Sequence, residues 1–247
     1  MRDAIHLLPL TLTFVLAGIV KGVAGMGLPT VAMGLLGNFM PPAAAAAVLV
    51  IPSFVTNAWQ LVAGTATRRV LRRLWPMMLL IVGSTVLGTA LLAWVDPKWS
   101  ALALGVALIA YAAYALISPI LSVPSRVEPW LSPLVGGLTG IITGATGVFV
   151  MPAVPYLQAL KLDKDELVQA LGLSFTVSTV ALAAGLLAHG AFQLDRLAAS
   201  SIAVVPALAG MWIGQRLRTR MSPGRFRQVF LSFLLLLGVE LASRPFH

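Results

Sequence analysis

The sequence predicts an all-α polytopic membrane protein made of two inverted repeats. Each repeat holds one broken, re-entrant helical hairpin and three transmembrane helices. Three observations carry this: uncharged apolar runs that recur along the whole chain, two matching Gly-rich segments, and an arginine cluster that changes loop between the halves. Of the 247 residues, 59% are hydrophobic and only 10% charged, against about a quarter charged in an ordinary soluble domain. A water-facing surface cannot be built from that supply. A membrane β-barrel is excluded as well, because its strands alternate apolar and polar with period two, whereas runs such as Leu74–Val95 and Trp99–Ser125 are continuous.

A membrane helix needs about 20 mostly apolar residues, so the length holds about eight membrane elements. Plain helices are expected near 43–64, 75–95, 100–121, 167–188, 197–215 and 226–243, the last carrying Arg227 near its start and Glu240 near its end. Regions 7–40 and 131–160 do not fit one plain helix, because each has glycines and then a proline in its middle. The first run, Ala4–Val20, follows a start without net positive side-chain charge and ends without a clear small-x-small cleavage site, so it reads as a retained membrane element.

The two broken regions match each other. Ala17-Gly18-Ile19-Val20-Lys21-Gly22-Val23-Ala24-Gly25 aligns with Thr139-Gly140-Ile141-Ile142-Thr143-Gly144-Ala145-Thr146-Gly147, and Pro29 or Pro152 follows within five residues. Farther on, Ser53-Phe54 matches Ser174-Phe175, Gly64 matches Gly185, and the pair Gly88/Pro97 matches Gly214/Pro223. Collinear matches of this kind divide the chain into a first repeat over 1–122, a linker over 123–130 and a second repeat over 131–247. Internal repeats are frequent in transporters.

Positive charge reports orientation, since Lys and Arg gather in cytoplasmic loops. The first half carries Arg68, Arg69, Arg72 and Arg73 between its second and third elements, where the second half has the nearly neutral 189–196. The second half carries Arg216, Arg218, Arg220, Arg225 and Arg227 one element later, where the first has only Asp96-Pro97-Lys98. A swap of this kind is what opposite orientations require. With eight full crossings, one arginine loop would face outward. With 7–40 and 131–160 as opposed hairpins, both face the cytoplasm. Arg126, Lys161 and Lys164 join them, making 12 of the 17 basic residues, and both termini lie outside. The basic excess of +9 is therefore a topology signal, and no nucleic-acid partner is expected.

Irregular backbone at membrane depth survives only inside protein or beside a wet cavity. Glycines let each hairpin turn and pack closely, and a proline suits the first turn of a new half-helix. A half-helix start near the midplane offers free N–H groups and the positive dipole end, which favour an anion. The expected ligand is a small anion, held where two such starts converge around Gly25, Gly27 and Gly147. Lys21 is the only charged residue between Ala4 and Thr67. In the hairpin reading it stands near the tip and attracts the anion or exchanges a proton; in a full-span reading it is an interface anchor. Its counterpart is Thr143. Ser53, Thr56, Asn57 and Gln60 share one helix face, and Ser174, Thr176, Ser178 and Thr179 do so in the second half, with Thr30 and Thr146 nearby. Hydroxyls on helices also bond their own backbone, so Asn57 is the most telling of the set.

Enzyme chemistry is poorly supplied. His6, His189 and His247 lie near loops or termini, no Cys is present, and there is neither a GxSxG nor a GxxxxGK[ST] motif. No cofactor is expected, and energy should come from an ion gradient (proton or sodium), a substrate gradient or a partner.

The duplicated pattern Gly18-Ile-Val-Lys-Gly22-Val-Ala-Gly25-Met-Gly27-Leu-Pro29 and Gly140-Ile-Ile-Thr-Gly144-Ala-Thr-Gly147, with Met151-Pro152 beyond, resembles the TauE/SafE family, also called the 4-toluene sulfonate uptake permeases. Nearly the whole chain takes part. The resemblance implies a bacterial inner-membrane transporter of sulfur-containing anions such as sulfite, sulfoacetate or organosulfonates. Val148-Phe149-Val150 departs from the Gly-rich pattern, which implies a less open pocket in the second half. A passive anion channel and a non-transporting membrane scaffold are the competing functions.

Overall fold

The protein is described by a computed structural model over residues 2–117, 122–192, 196–218, 220 and 223–246, with side chains outside 2–7, 164, 196, 223–227 and 245. The helices are α1 (Arg2–Ala24), α2 (Leu28–Leu36), α3 (Pro42–Val62), α4 (Thr67–Trp94), α5 (Pro97–Ile117), α6 (Glu128–Thr146), α7 (Ala153–Ala159), α8 (Lys164–Ala188), α9 (Arg196–Ile202), α10 (Val204–Arg218) and α11 (Pro223–Ser243). Five segments are long and apolar enough to cross a bilayer: α3, α4, α5, Asp165–Ala188 in α8, and Leu197–Arg218 across α9 and α10. Leu79, Leu87, Val205 and Leu236 point outward while Lys21, Asn57, Thr139 and Ser178 are buried. That inside-out polarity suits a lipid solvent. The expected end of the third span at 121 and the side chains of Lys164, Arg225 and Arg227 lie outside the described residues, as do those of His6 and His247.

Two boundaries differ from expectation. Helix α4 begins at Thr67 rather than near 75, so Arg68–Arg73 ride on its first two turns instead of a loop. Arginine is a good helix former, and Arg69 and Arg73, one turn apart, reach Glu166 (2.7 Å) and Glu128 (2.6 and 2.8 Å). The span expected at 197–215 is two helices that meet at Ala203. The ring of Pro206 conflicts with the carbonyl four residues earlier, at Ile202, and supplies no N–H.

Helix directions settle the path of the chain. Along α4 and α6 the neighbours are Arg73 with Glu128, Met77 with Gly136, and Gly88 with Gly144, so these helices run parallel. Arg69 with Glu166 and Thr89 with Gly185 make α8 parallel to α4 too. Helices α6 and α8 thus cross the same way, and α7 must bring the chain back between them. The Val123 N–H donates to Ala159 O (2.9 Å), which sets the end of α7 beside the linker that leads into α6. The segment 128–160 is a re-entrant hairpin that opens on the arginine-rich face.

The first half does the same from the opposite face. Lys21 meets Asn57 and Gly25 meets Gln60, so α1 and α3 run together and α2 returns between them. Gln60 also meets Val168, and Asn57 meets Thr179, which makes α3 antiparallel to α8. Gly22 lies against Gly214 and Gln215, so α10 runs with α1 and ends, with Arg216 and Arg218, on the same face as the start of α4. Both arginine clusters share one face, and the eight-crossing alternative is removed.

The repeat is visible in the packing. A Cβ at Gly22 would meet the Cα of Gly214 at 2.9 Å, and one at Gly144 would meet the Cα of Gly88 at 2.7 Å. Gly18 lies on Ala207 and Met211 as Gly140 lies on Ile81 and Thr85. Each half therefore lends its broken helix to a full span of the other. Small residues serve membrane interfaces because backbones can approach closely there.

Candidate functional site

The two breaks that interrupt the hairpins are built differently. In the first, Gly25 and Gly27 take left-handed backbone (φ 75° and 98°) around Met26. Gly27 ends the turn as the N-cap of α2, and Pro29 occupies that helix's first turn. The ladder of α2 opens with Val31 N–H to Gly27 O (2.9 Å), so the N–H groups of Leu28 and Thr30 precede it. In the second, Gly147 is left-handed (φ 71°), a longer non-helical stretch follows, and Pro152 is the N-cap of a seven-residue α7. Gly25 has open space where a Cβ would stand, whereas Gly147 would press on Met33 Cε at 2.8 Å. The close approach expected at Gly25 is therefore absent; its glycine answers to backbone angle alone. The two half-helix starts are not equivalent.

The polar residues gather beside the first break. Lys21, in the last turn of α1, is 2% exposed. Its ammonium donates to Asn57 Oδ1, and Asn57 Nδ2 reaches Thr179 Oγ1 at 3.5 Å. No carboxylate pairs with Lys21 among the described residues; the ion pairs there are Arg69–Glu166, Arg73–Glu128 and Arg244–Glu240. Gln60 Nε2 donates to Gly25 O and Val168 O, both at 3.0 Å, which fixes the tip of the first hairpin against α8. Ser53, Thr56, Asn57 and Gln60 are all buried, as their shared face requires.

The hydroxyls divide into two groups. Thr56 donates to Pro52 O (2.8 Å), Thr176 to Gly172 O (2.7 Å) and Thr179 to Phe175 O (2.6 Å), each along its own helix. Thr143 donates to Val148 O (3.2 Å), while Thr146 donates to Ile142 O (2.6 Å) and accepts from Val148 N–H (3.2 Å). These two hold the second break. The buried hydroxyls of Thr30, Ser53, Ser174 and Ser178 have no partner, nor do those of Thr85 and Thr139. An unsatisfied buried polar group is costly, and four of these six are residues of the α3–α8 seam or of the first turn of α2.

Phe149 lies in the second break. It is fully buried and stands 6.5 Å, centroid to centroid, from Phe175, next to Ser174. Sequence reasoning did not single out Gln169, which accepts from Ala66 N–H (2.7 Å) and donates to Leu61 O and Thr67 Oγ1 (2.9 and 2.8 Å). It clamps the α3–α4 turn to α8. A lone amide inside an apolar run is the signal that marks such a residue.

The arrangement is a buried cation, an amide and free hydroxyls between two opposed hairpins, and it can neutralise and hydrogen-bond a small anion. A family model described as sulfite exporter TauE/SafE matches residues 10–241. The chain belongs to the TauE/SafE family. No curated protein and no solved structure matches it. As a TauE/SafE protein it is a multi-pass membrane protein of a transporter family, which agrees with the two hairpins and the apolar spans.

Proposed function

We propose that this chain is a secondary transporter of small sulfur-containing anions such as sulfite or organosulfonates, seated in a bacterial inner membrane. Alternating access moves the two repeats, 1–122 and 131–247, against each other around the seam of α3 and α8. The observation that carries this reading is Lys21: a buried ammonium with no carboxylate partner among the described residues, held by Asn57 beside unpartnered hydroxyls. A charged side chain inside a membrane protein is costly and marks a substrate or ion pathway. The start of α2, with Gly25, Gly27 and Thr30, adds backbone donors. Asn57, Gln60, Ser174 and Ser178 line the seam, and Thr143, Thr146 and Gly147 shape the facing break. Proton or sodium serves as the coupling ion.

The test is flux in proteoliposomes with sulfite, sulfate, thiosulfate, sulfoacetate, taurine and aryl sulfonates. Saturable uptake with counterflow of at least one of them is the expected result. Ionic current without counterflow identifies a channel instead, and no flux with any of them leaves a scaffold.

A further inference from the structure

We infer that the Lys21 site selects its ligand by net charge, taking a monovalent tetrahedral anion, hydrogensulfite or an organosulfonate RSO3−, and rejecting dianions and zwitterions of similar size. This rests on the anion-transport reading above and narrows it.

The inference starts from the inventory of charge. No acidic residue stands between Asp3 and Asp96 or between Glu166 and Asp195, so the hairpin of α1 and α2, with α3 and most of α8, brings one formal charge to the seam, the ammonium of Lys21. Thr30, Ser53, Ser174 and Ser178 bring hydroxyls, which donate hydrogen bonds without changing the balance. One ammonium cancels one negative charge. A monoanion leaves the loaded site neutral. A dianion leaves a surplus negative charge in a seam where Ser53, Asn57, Ser174 and Ser178 are all buried, and uncompensated buried charge is strongly disfavoured. A zwitterion such as taurine adds an ammonium that must lie near Lys21 with no carboxylate to receive it. The three oxygens of a sulfonate match the unpartnered hydroxyls in kind.

The test uses the full chain in proteoliposomes loaded with methanesulfonate and followed by counterflow of labelled methanesulfonate. Isethionate should compete at a similar concentration. Sulfate, sulfoacetate and taurine should each need at least about a hundredfold more. Lys21→Gln should lose methanesulfonate and become sensitive to dimethyl sulfone, its neutral isostere; size-exclusion and thermal unfolding of that variant confirm that it is folded. Competition by sulfate or sulfoacetate within about tenfold of isethionate overturns charge selection and leaves anion transport standing. Counterflow of methanesulfonate by Lys21→Gln as in the wild type removes Lys21 from the site and overturns the inference. Absence of counterflow with every anion overturns both readings.

Discussion

The two breaks occupy equivalent places in the two halves and are made of opposite materials. The first is short, keeps Lys21 one turn before it, and is pinned by Gln60 through a carbonyl. The second is longer, has Thr143 at the equivalent place, and is filled by Val148, Phe149 and Val150. The following helices repeat the contrast: Phe175 is buried while its counterpart Phe54 is 42% exposed. Each half braces the other with glycines at matching places. The charge stands beside the first break, and buried apolar side chains fill the second. A single cation on a two-fold frame avoids the repulsion that two facing lysines would bring.

The largest effect expected from this contrast is at its charged pole. Lys21→Ala should lower anion flux by about a hundredfold or more, the scale of losing one partner of a buried ionic contact. Thr143→Ala removes one hydrogen bond, to Val148 O, worth about 0.5–1.5 kcal/mol, so its flux should fall by no more than about tenfold. Initial rates in proteoliposomes measure both. Equal losses would mean that the halves share the work and that the asymmetry is decorative.

A smaller effect separates the turns. Both Gly25 and Gly147 hold positive φ, which costs a residue with a Cβ about 1–2 kcal/mol. Only Gly147 adds a collision, with Met33. Gly147→Ala should therefore lower the unfolding temperature in detergent more than Gly25→Ala. Shortening the neighbour, as Met33→Ala in the Gly147→Ala background, should recover the difference, because residues in contact couple in a double-mutant cycle. Equal shifts for the two single variants would show that Met33 yields freely.

Much of this was legible in the sequence, for physical reasons. The Gly-x-x-x-Gly spacing of Gly18/Gly22 and Gly140/Gly144 sets one helix face, and the recurrence of Gly88 and Gly214 marked the repeat; that these glycines meet that face is a product of the fold. The arginine swap gave the relative direction of the halves, since charge distribution follows orientation whatever the helix ends are. The start of α4 was not legible, because an apolar window finds the membrane-embedded part of a helix and stops where arginine begins. The break at Ala203 was hidden inside an unbroken apolar run, although Pro206 marks it. The character of the second break was the hardest to read: Val148-Phe149-Val150 has the same hydropathy whether it is helix or extended chain, and a short apolar run cannot be assigned by periodicity. Lys21 and Asn57 were separately conspicuous, but their pairing across 36 positions is a product of the fold.

The smallest expected effect is also the one that best separates a binding role from a structural one. Ser53 and Ser174 are equivalent in the repeat, both fully buried, and neither hydroxyl has a partner in the protein. Alanine at either position removes no internal hydrogen bond and relieves an unsatisfied group, so thermal stability should hold or rise slightly. If these hydroxyls serve an anion, flux should nevertheless fall by about threefold to tenfold for each, the value of one hydrogen bond to a charged ligand reduced by what nearby donors recover. Stability and flux would then move in different directions, a result a purely structural hydroxyl cannot produce. The two variants also sharpen the comparison of the halves. Ser53 lies one turn from Asn57, on the face that meets Lys21, whereas Ser174 lies beside Phe175 and the Phe149 wall. A larger loss at Ser53→Ala than at Ser174→Ala places the anion closer to the first break; equal losses place it on the axis that relates the repeats.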